Sequence, residues 1–509
     1  MSYEAVQLFM ARVRQHQHDF AITPANAAQI SYICLRLDGI PLALELAAAV
    51  LRRMTLAQLA AMLHHEANWL HELHSPARDL PPRQRTLTHA IAWSYNLLDA
   101  NAQTSFRQLG IFVGGFSAAA AWVVCAADHA TLAHLTDHSL LAQSPERWQM
   151  LAMIREFALA QMSAGERTAT QQRHIAYFVA QAVTNLDVIA RDHADFRAAL
   201  IGAMAAQDVH AALTLCINLC WFWETHGYLR QGLTLGRAAL AMPYAVDPDL
   251  RIDALERVST LAWQGHQFDV ARQLAEEAVA LARSNDRPGK LALALNLLGR
   301  IWIEQGDYGH AEAALQESTQ LARGVAHRFN PGCPLTMLGE VALMRGDWEA
   351  AQAYLAQAIP FLARESDNLY VSVFVGMAHT NLAEVALAHG DSKQAHHELR
   401  QALPHARLYI RRLRCWLVTL AGFLLHTTQA QEVAAAAELL GAVAGLGERS
   451  GDPLSPLYQA LIAQRKEYAQ RLLTQPEWQA AWQVGHAWTP TQAIAAAEMW
   501  LAIPCLPDQ

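Results

Sequence analysis

The sequence is short of charge. Only 17% of its 509 residues are Asp, Glu, Lys or Arg, and the 38 basic residues are outnumbered by 46 acidic ones, for a net charge of −8 and a pI of about 6.3. That balance excludes any global electrostatic attraction to phosphate backbones or anionic lipid. A nucleic-acid role would need a local basic patch. Seven cysteines, at 34, 125, 216, 220, 333, 415 and 505, are scattered without a CxxC pair. An odd, dispersed set of this kind fits reduced thiols in a cytosol and not a disulfide framework. The opening MSYEAVQLFMARVRQ has no basic region followed by a long apolar stretch, so it does not read as a signal peptide. The most apolar runs, such as WLVTLAGFLL at 416–425, fall short of the roughly 18 residues a membrane span needs. The sequence therefore reads as cytoplasmic, with no membrane partner.

What is abundant is alanine and other apolar residues, 53% hydrophobic overall. Alanine is the strongest helix former, which favours closely packed helices. Internal repeats then settle most of the architecture. The segments HQFDVARQLAEEAVALAR (266–283), GDYGHAEAALQESTQLAR (306–323), GDWEAAQAYLAQAIPFLAR (346–364) and GDSKQAHHELRQAL (390–403) align on Ala271, Ala311, Ala351 and Ala395, with periods of 40, 40 and 44. Each unit reads as a helical hairpin of a tetratricopeptide-like solenoid. Gly306, Gly346 and Gly390 suit a left-handed helix end; the first unit has His266 at that position, with Gly265 before it. Three residues before each alanine stand Phe268, Tyr308, Trp348 and then Ser392, and seven residues before the glycine stand the small Gly299, Gly339 and Ala383. Ala271, Tyr308, Ala311, Trp348, Ala351 and Ala395 are thus the expected repeat-packing residues. A degenerate earlier turn falls at Gly227 within WFWETHGYLRQGL (221–233), and helical patterning continues to about Leu501.

The fold class expected is all-α. A helical subdomain spans 1–75, a winged helix with a small β-hairpin spans 76–162, and the solenoid spans 165–505. The first two meet at HSPARDLPPRQRT (74–86), with three prolines and an excess of arginine. Helices are expected near 86–98, 100–109, 117–126 and 129–140. LLAQSPERWQML (140–151) then reads as a hairpin turning at Pro145-Glu146.

Certain blocks carry a family resemblance: ICLRLDGIPLALELAAA (33–49), RDLPPRQRTLTHAIAWSYNLLD (78–99), LGIFVGGFS (109–117), DHSLL (137–141) and MLAMIREFALAQM (150–162). They resemble the matching blocks of bacterial predicted ATPases related to the AfsR-like and LuxR-like regulators of the NB-ARC/STAND superfamily. The order of parts agrees: helical end of the nucleotide module, winged helix, repeat array. The resemblance implies that Gly39, Ile40 and Pro41 lie over a nucleotide in such proteins, a vestigial contact here; read by itself, the same tripeptide is a helix–helix junction.

Two departures matter. No GxxxxGK[ST] occurs, and the sole Gly-Lys, Gly289-Lys290, lies in a repeat linker. The phosphate loop of the family would precede residue 1. Where many relatives place a His-Asp pair after the wing methionine, Leu151 and Ala152 follow Met150.

Other groupings offer no defended chemistry. Twenty-four histidines include His16 with His18, His64-His65 and His396-His397, but adjacent helical positions point about 100° apart and cannot both grip one ion. Gly441, Gly445 and Gly447 have no preceding strand to make a nucleotide loop, and the aromatic clusters at 221–228 and 479–488 read as core. No catalytic set, metal site or cofactor is expected, and the chain reads as a non-enzyme. The leading expectation is a regulatory scaffold in signal-dependent transcriptional regulation, taking a protein, peptide or small effector on its array, with oligomerisation left open. The alternatives are a STAND ATPase switch whose phosphate loop lies in a missing N-terminal region, and a DNA-binding winged-helix regulator. Against the latter, residues 85–160 carry Arg85, Arg107, Arg147 and Arg155 against Asp99, Asp128, Asp137, Glu146 and Glu156. No direct nucleic-acid binding is expected.

Overall fold

The computed structural model describes residues 3–65, 87–181, 186–243, 247–324, 329–426, 429–451 and 454–502. The proline-rich segment 74–86, with Arg85, and Cys505 lie outside them. The chain forms two compact units, Met1–Phe222 with Met242–Tyr244, and Trp223–Ala241 with Ala245–Gln509. Among the described residues both are helical apart from one two-stranded hairpin.

The first unit opens with α1 (Tyr3–Arg14), α2 (Ala27–Arg36), α3 (Pro41–Val50) and α4 (Leu56–His65). Between α2 and α3, Asp38 and Gly39 both take positive φ, at 53° and 67°, and Pro41 occupies the first turn of α3. Proline is favoured there because its missing N–H would have no helical partner. The tripeptide 39–41 is a tight helix junction anchored by Asp38, whose carboxylate accepts the Ala152 amide at 2.6 Å.

Next come α5 (Leu87–Asn96), α6 (Ala100–Leu109), α7 (Ala118–Cys125) and α8 (His129–Asp137). Asp99, Ser117 and Asp128 cap α6, α7 and α8 through their side-chain oxygens, satisfying amides that a helix start leaves open. Strands β1 (Ala142–Ser144) and β2 (Arg147–Gln149) pair antiparallel around Pro145-Glu146, and Phe116 bridges to Trp148 beside them. Leu132, Leu135 and Leu140 are buried. Helix α9 (Ala152–Ala160) leads into α10 (Ala164–Gln181), α11 (Leu186–Ala205) and α12 (Val209–Thr225). At the base of this unit Asp195, fully buried, accepts the amides of Val113 and Gly114 at 2.6 and 2.8 Å.

The second unit is a tetratricopeptide-like array. After α13 (Leu229–Leu240), paired helices follow as α14 (Pro248–Gln264) with α15 (Phe268–Ser284), α16 (Pro288–Gln305) with α17 (Tyr308–Gly324), α18 (Gly332–Met344) with α19 (Trp348–Leu362), and α20 (Leu369–Ala388) with α21 (Ser392–Ala406). Helices α22 (Ile410–Leu425), α23 (Ala430–Ser450), α24 (Pro456–Leu472), α25 (Gln475–His486) and α26 (Pro490–Leu501) complete it.

The turn chemistry explains the repeat. Gly306, Gly346 and Gly390 end their helices at φ of 77°, 75° and 75°, and the aspartates that follow them cap the next helix, Asp307 to the His310 amide, Asp347 to Ala350 and Asp391 to Gln394. In the first hairpin His266 itself adopts the left-handed conformation, at φ 57°. Gly299 and Gly339 sit where a Cβ would fall 2.6 and 2.7 Å from the Cγ of Leu315 and Leu355, so the two helices of each hairpin cross closely. Ala271, Ala311, Ala351 and Ala395 are all completely buried, and Tyr308 and Trp348 pack half-buried against the same core.

One described helix, Leu369–Ala388, is long and apolar enough to cross a membrane, but 78% of it is buried within the array. Its apolar character is that of a core helix packed between α18, α21 and α22.

Candidate ligand-binding site

The first helices of successive hairpins, α14, α16, α18, α20 and α22, lie side by side and form one face of the array. Apolar residues dominate them, yet polar side chains recur at helical spacing. Asn296, Arg300 and Glu304 stand four residues apart on α16, and Glu256 and Trp263 seven apart on α14. Such spacing places each set on one face of its helix.

The array brings these sets together with residues far along the chain. The Arg300 guanidinium lies 4.1 Å from the Trp263 ring centroid, and Arg411 of α22 lies over the same ring at 5.0 Å. Arg411 also pairs with Glu304. Asn296 donates through Nδ2 to the Tyr370 hydroxyl of α20 at 3.4 Å. Helices separated by two and four hairpin positions therefore meet across the inner face.

Three buried polar atoms in this cluster have no hydrogen-bond partner within the protein: Glu256 Oε1, Trp263 Nε1 and Asn296 Oδ1. Their residues are 7%, 6% and 0% exposed. A buried polar atom without a partner costs about 1–3 kcal/mol. Three on the adjacent helices α14 and α16 ask for an explanation beyond packing.

The electrostatics are equally uneven. Arg300 and Arg412 are in no ion pair among the described residues. Burial, followed by the like charges of Arg412 and Arg411, lowers the pKa of Arg300, while Tyr370 and Glu304 oppose that shift. Burial raises the pKa of three carboxyl groups in this part of the array. Burial pushes Glu256 up to about 8, with Asp253 adding to the shift and Lys290 and Arg257 opposing it. Glu224, bonded to Gln264, is pushed up to about 7 by burial, and burial raises Glu340 as well. Tyr370 keeps 39% of its surface accessible although its phenol is raised by burial.

The neighbouring part of the same face is filled by the chain itself. The segment around α24 lies against α18, α20 and α22. Ser455 donates to Glu340 at 3.0 Å, Tyr458 to Asn381 at 2.9 Å, and Arg465 pairs with Glu384. A small cleft, with room for about one water, remains between Glu340, Asn381, Arg412, Cys415 and Tyr458. One end of the inner face is thus covered by α24, although Asn381 Nδ2 there stays without a partner.

None of these residues coincides with the repeat-packing positions, and the expected junction residues Gly39, Ile40 and Pro41 belong to the other unit. The signal that could have found them is the run of Asn, Arg and Glu at i, i+4, i+8 in the otherwise apolar α16. The paired histidines point elsewhere: His16 Nε2 lies 3.2 Å from the Ala48 carbonyl and His396 Nε2 3.0 Å from that of Leu501. Among the described residues no three His, Cys, Asp or Glu side chains gather as a metal site.

No family model matches the chain. It is 32% identical over 355 residues to a protein of Mycobacterium tuberculosis named "Putative HTH-type transcriptional regulator", a match over 63% of this chain and 39% of that one. A further match, 30% identical over 187 residues, is an uncharacterized protein of Mycobacterium bovis, covering 34% of this chain and 47% of the other. The chain therefore spans less than half the length of these relatives. Among solved structures it is similar to a Signal Transduction ATPase with Numerous Domains (STAND) protein with a tetratricopeptide repeat sensor from Pyrococcus horikoshii, at a TM-score of 0.43 and 13% identity over 89% of this chain and 73% of that one. It is also similar to a Rap protein complexed with competence and sporulation factor, at a TM-score of 0.41 and 11% identity over 82% and 99% of the two chains.

Proposed function

We propose that this chain is a non-catalytic regulatory scaffold whose repeat array binds an effector on the inner face formed by α14, α16, α18, α20 and α22, and relays occupancy to an output in signal-dependent transcription. The observation that carries the reading is the set of partnerless buried atoms on Glu256, Trp263 and Asn296 beside the unneutralised Arg300 and Arg412. Packing alone gives no reason to bury them, whereas a ligand would supply the missing partners. The likeness to a regulator of Mycobacterium tuberculosis supports the regulatory half.

In this reading residues 1–75 are the helical remnant of a nucleotide module, 76–162 a winged helix and 165–505 the array. Gly39, Ile40 and Pro41 are a vestigial nucleotide contact. The winged helix serves as a relay: the natural recognition helix α8 buries Leu132 and Leu135 and carries no Arg, Lys, Asn or Gln, the side chains that read base edges.

The test is a binding selection on the immobilised full chain with a displayed peptide library and a metabolite panel, scored against the double variant Arg300→Gln/Arg412→Gln. Saturable binding by the wild type that is lost in the variant is expected. Turnover of ATP by the chain, with no binder on the array, would contradict the proposal.

A further inference from the structure

Resting on the reading of the array as a receptor, we infer that the polar cluster of Arg300, Trp263, Asn296, Glu256 and Tyr370 takes a small carboxylate that also carries an N–H donor, the chemistry shared by a free amino acid and an unblocked peptide terminus.

Each half of that chemistry answers a particular group. The anionic half answers the guanidiniums. Arg300, Arg411 and Arg412 act on one another as like charges, and only Arg411 is paired, with Glu304. Charge-assisted bonds from a guanidinium to a carboxylate are among the strongest available. The Trp263 indole N–H, buried and without an acceptor, is a further donor on the ring that Arg300 stacks on.

The donor half answers the acceptors. Asn296 spends its amide N–H on Tyr370 and leaves Oδ1 without a donor, and Glu256 Oε1 is likewise unsatisfied. A ligand carboxylate alone would leave both buried oxygens as they are. One with a neighbouring N–H brings the kind of donor these oxygens lack. An ammonium brought beside Glu256 would also return to it the charge that burial removes.

At the other end of the same face the chain supplies such partners itself. There α24 supplies an O–H donor to Glu340, another to Asn381, and a guanidinium to Glu384. The open end presents the opposite polarity, with free cations and orphaned acceptors. Tyr370 and Arg411 cover the buried atoms from helices two and four hairpin positions away, and both must give way when the ligand enters.

The experiment is a thermal-shift titration of the full chain with free amino acids, unblocked di- and tripeptides, the same peptides as C-terminal amides, acetate, succinate, simple amines and inorganic phosphate. Stabilisation should concentrate in compounds bearing both a free carboxylate and an N–H donor, and the relative effect of amino acids and peptides separates the two sources. Arg300→Gln should weaken the best compound on the order of tenfold or more, and Trp263→Phe, which keeps the stacking ring, by a few-fold. Equal stabilisation by phosphate or by amines, or carboxylate binding indifferent to both variants, overturns the assignment while leaving the array a receptor. If no panel compound stabilises the wild type the ligand class is wrong, and if the displayed peptide library also yields no binder the receptor reading falls with it.

Discussion

Arg300 stacks on Trp263 at 4.1 Å with no carboxylate paired to it. A cation over an indole face gains about 0.5–2 kcal/mol, less than a guanidinium gives up when dehydrated without an anion. The pair is therefore held by the rest of the array and not by its own energy. Arg300→Leu should leave folding intact, with a change in stability of roughly 1 kcal/mol in either direction. Chemical denaturation of the variant checks this, and a loss of several kcal/mol would make Arg300 a structural residue.

Glu256 gives the array a pH signature. Its carboxyl is raised from 4.5 to about 8 by burial, so between those values the folded chain holds a proton that the unfolded chain has released. Stability must then fall as pH rises across that window, by up to about 1.4 kcal/mol per pH unit for one proton. Glu224, raised to about 7, adds to the same slope. Denaturation midpoints between pH 5 and pH 8.5 should decline in the wild type and flatten in Glu256→Gln. An unchanged slope in the variant would place the proton elsewhere.

His266 holds a left-handed conformation that the other hairpins give to glycine. For a side chain bearing Cβ this costs roughly 1–2 kcal/mol. His266→Gly should raise stability by about 0.5–1 kcal/mol despite the greater freedom glycine has in the unfolded chain. A destabilised variant would mean that the His266 ring, 5.9 Å from that of Phe268, contributes more than the strain removes.

Ala351 is completely buried at a helix crossing. Ala351→Arg should cost roughly 3 kcal/mol or more through overpacking and a buried charge. Because a solenoid couples mainly to its nearest neighbours, hydrogen exchange should rise first in α18 and α19. Wild-type thermal stability in this variant would remove Ala351 from the packing set.

The buried pair of Arg465 with Glu384 ties α24 to the inner face, at 9% and 5% side-chain exposure. Glu384 also accepts the Thr419 hydroxyl at 2.6 Å. Arg465→Met should cost about 3–5 kcal/mol by leaving a buried carboxylate unpaired, and adding Glu384→Met should recover much of it. If the double variant is as unstable as the single one, the pair specifies the docking of α24 beyond its charge.

The array was legible because its turns repeat the same chemistry. Glycine takes a conformation that side chains resist, a small residue stands where helices touch, and an aromatic closes the hairpin, so the period shows in the letters. The inner-face site was not, because its members come from α14, α16, α20 and α22 and only the curl of the array joins Trp263 to Arg411, 148 positions on. A periodicity of one helix says which face a residue occupies, not what meets that face. Asn296, Arg300 and Glu304 carried a local signal that packing residues do not explain. The role of Asp307, Asp347 and Asp391 as caps was equally present in the recurring Gly-Asp and became evident only once the helix starts were placed.

Hydrogen exchange of the full chain, with and without the strongest binder from the selection, tests the central claim most directly. Bound ligand should slow exchange in the inner-face segments 256–264, 296–305, 369–376 and 409–416, leave the hairpin at 142–149 unchanged within that unit, and do neither in the Arg300→Gln/Arg412→Gln variant. Protection confined to residues 100–150, or inner-face protection that persists in the double variant, would contradict an effector site on the array.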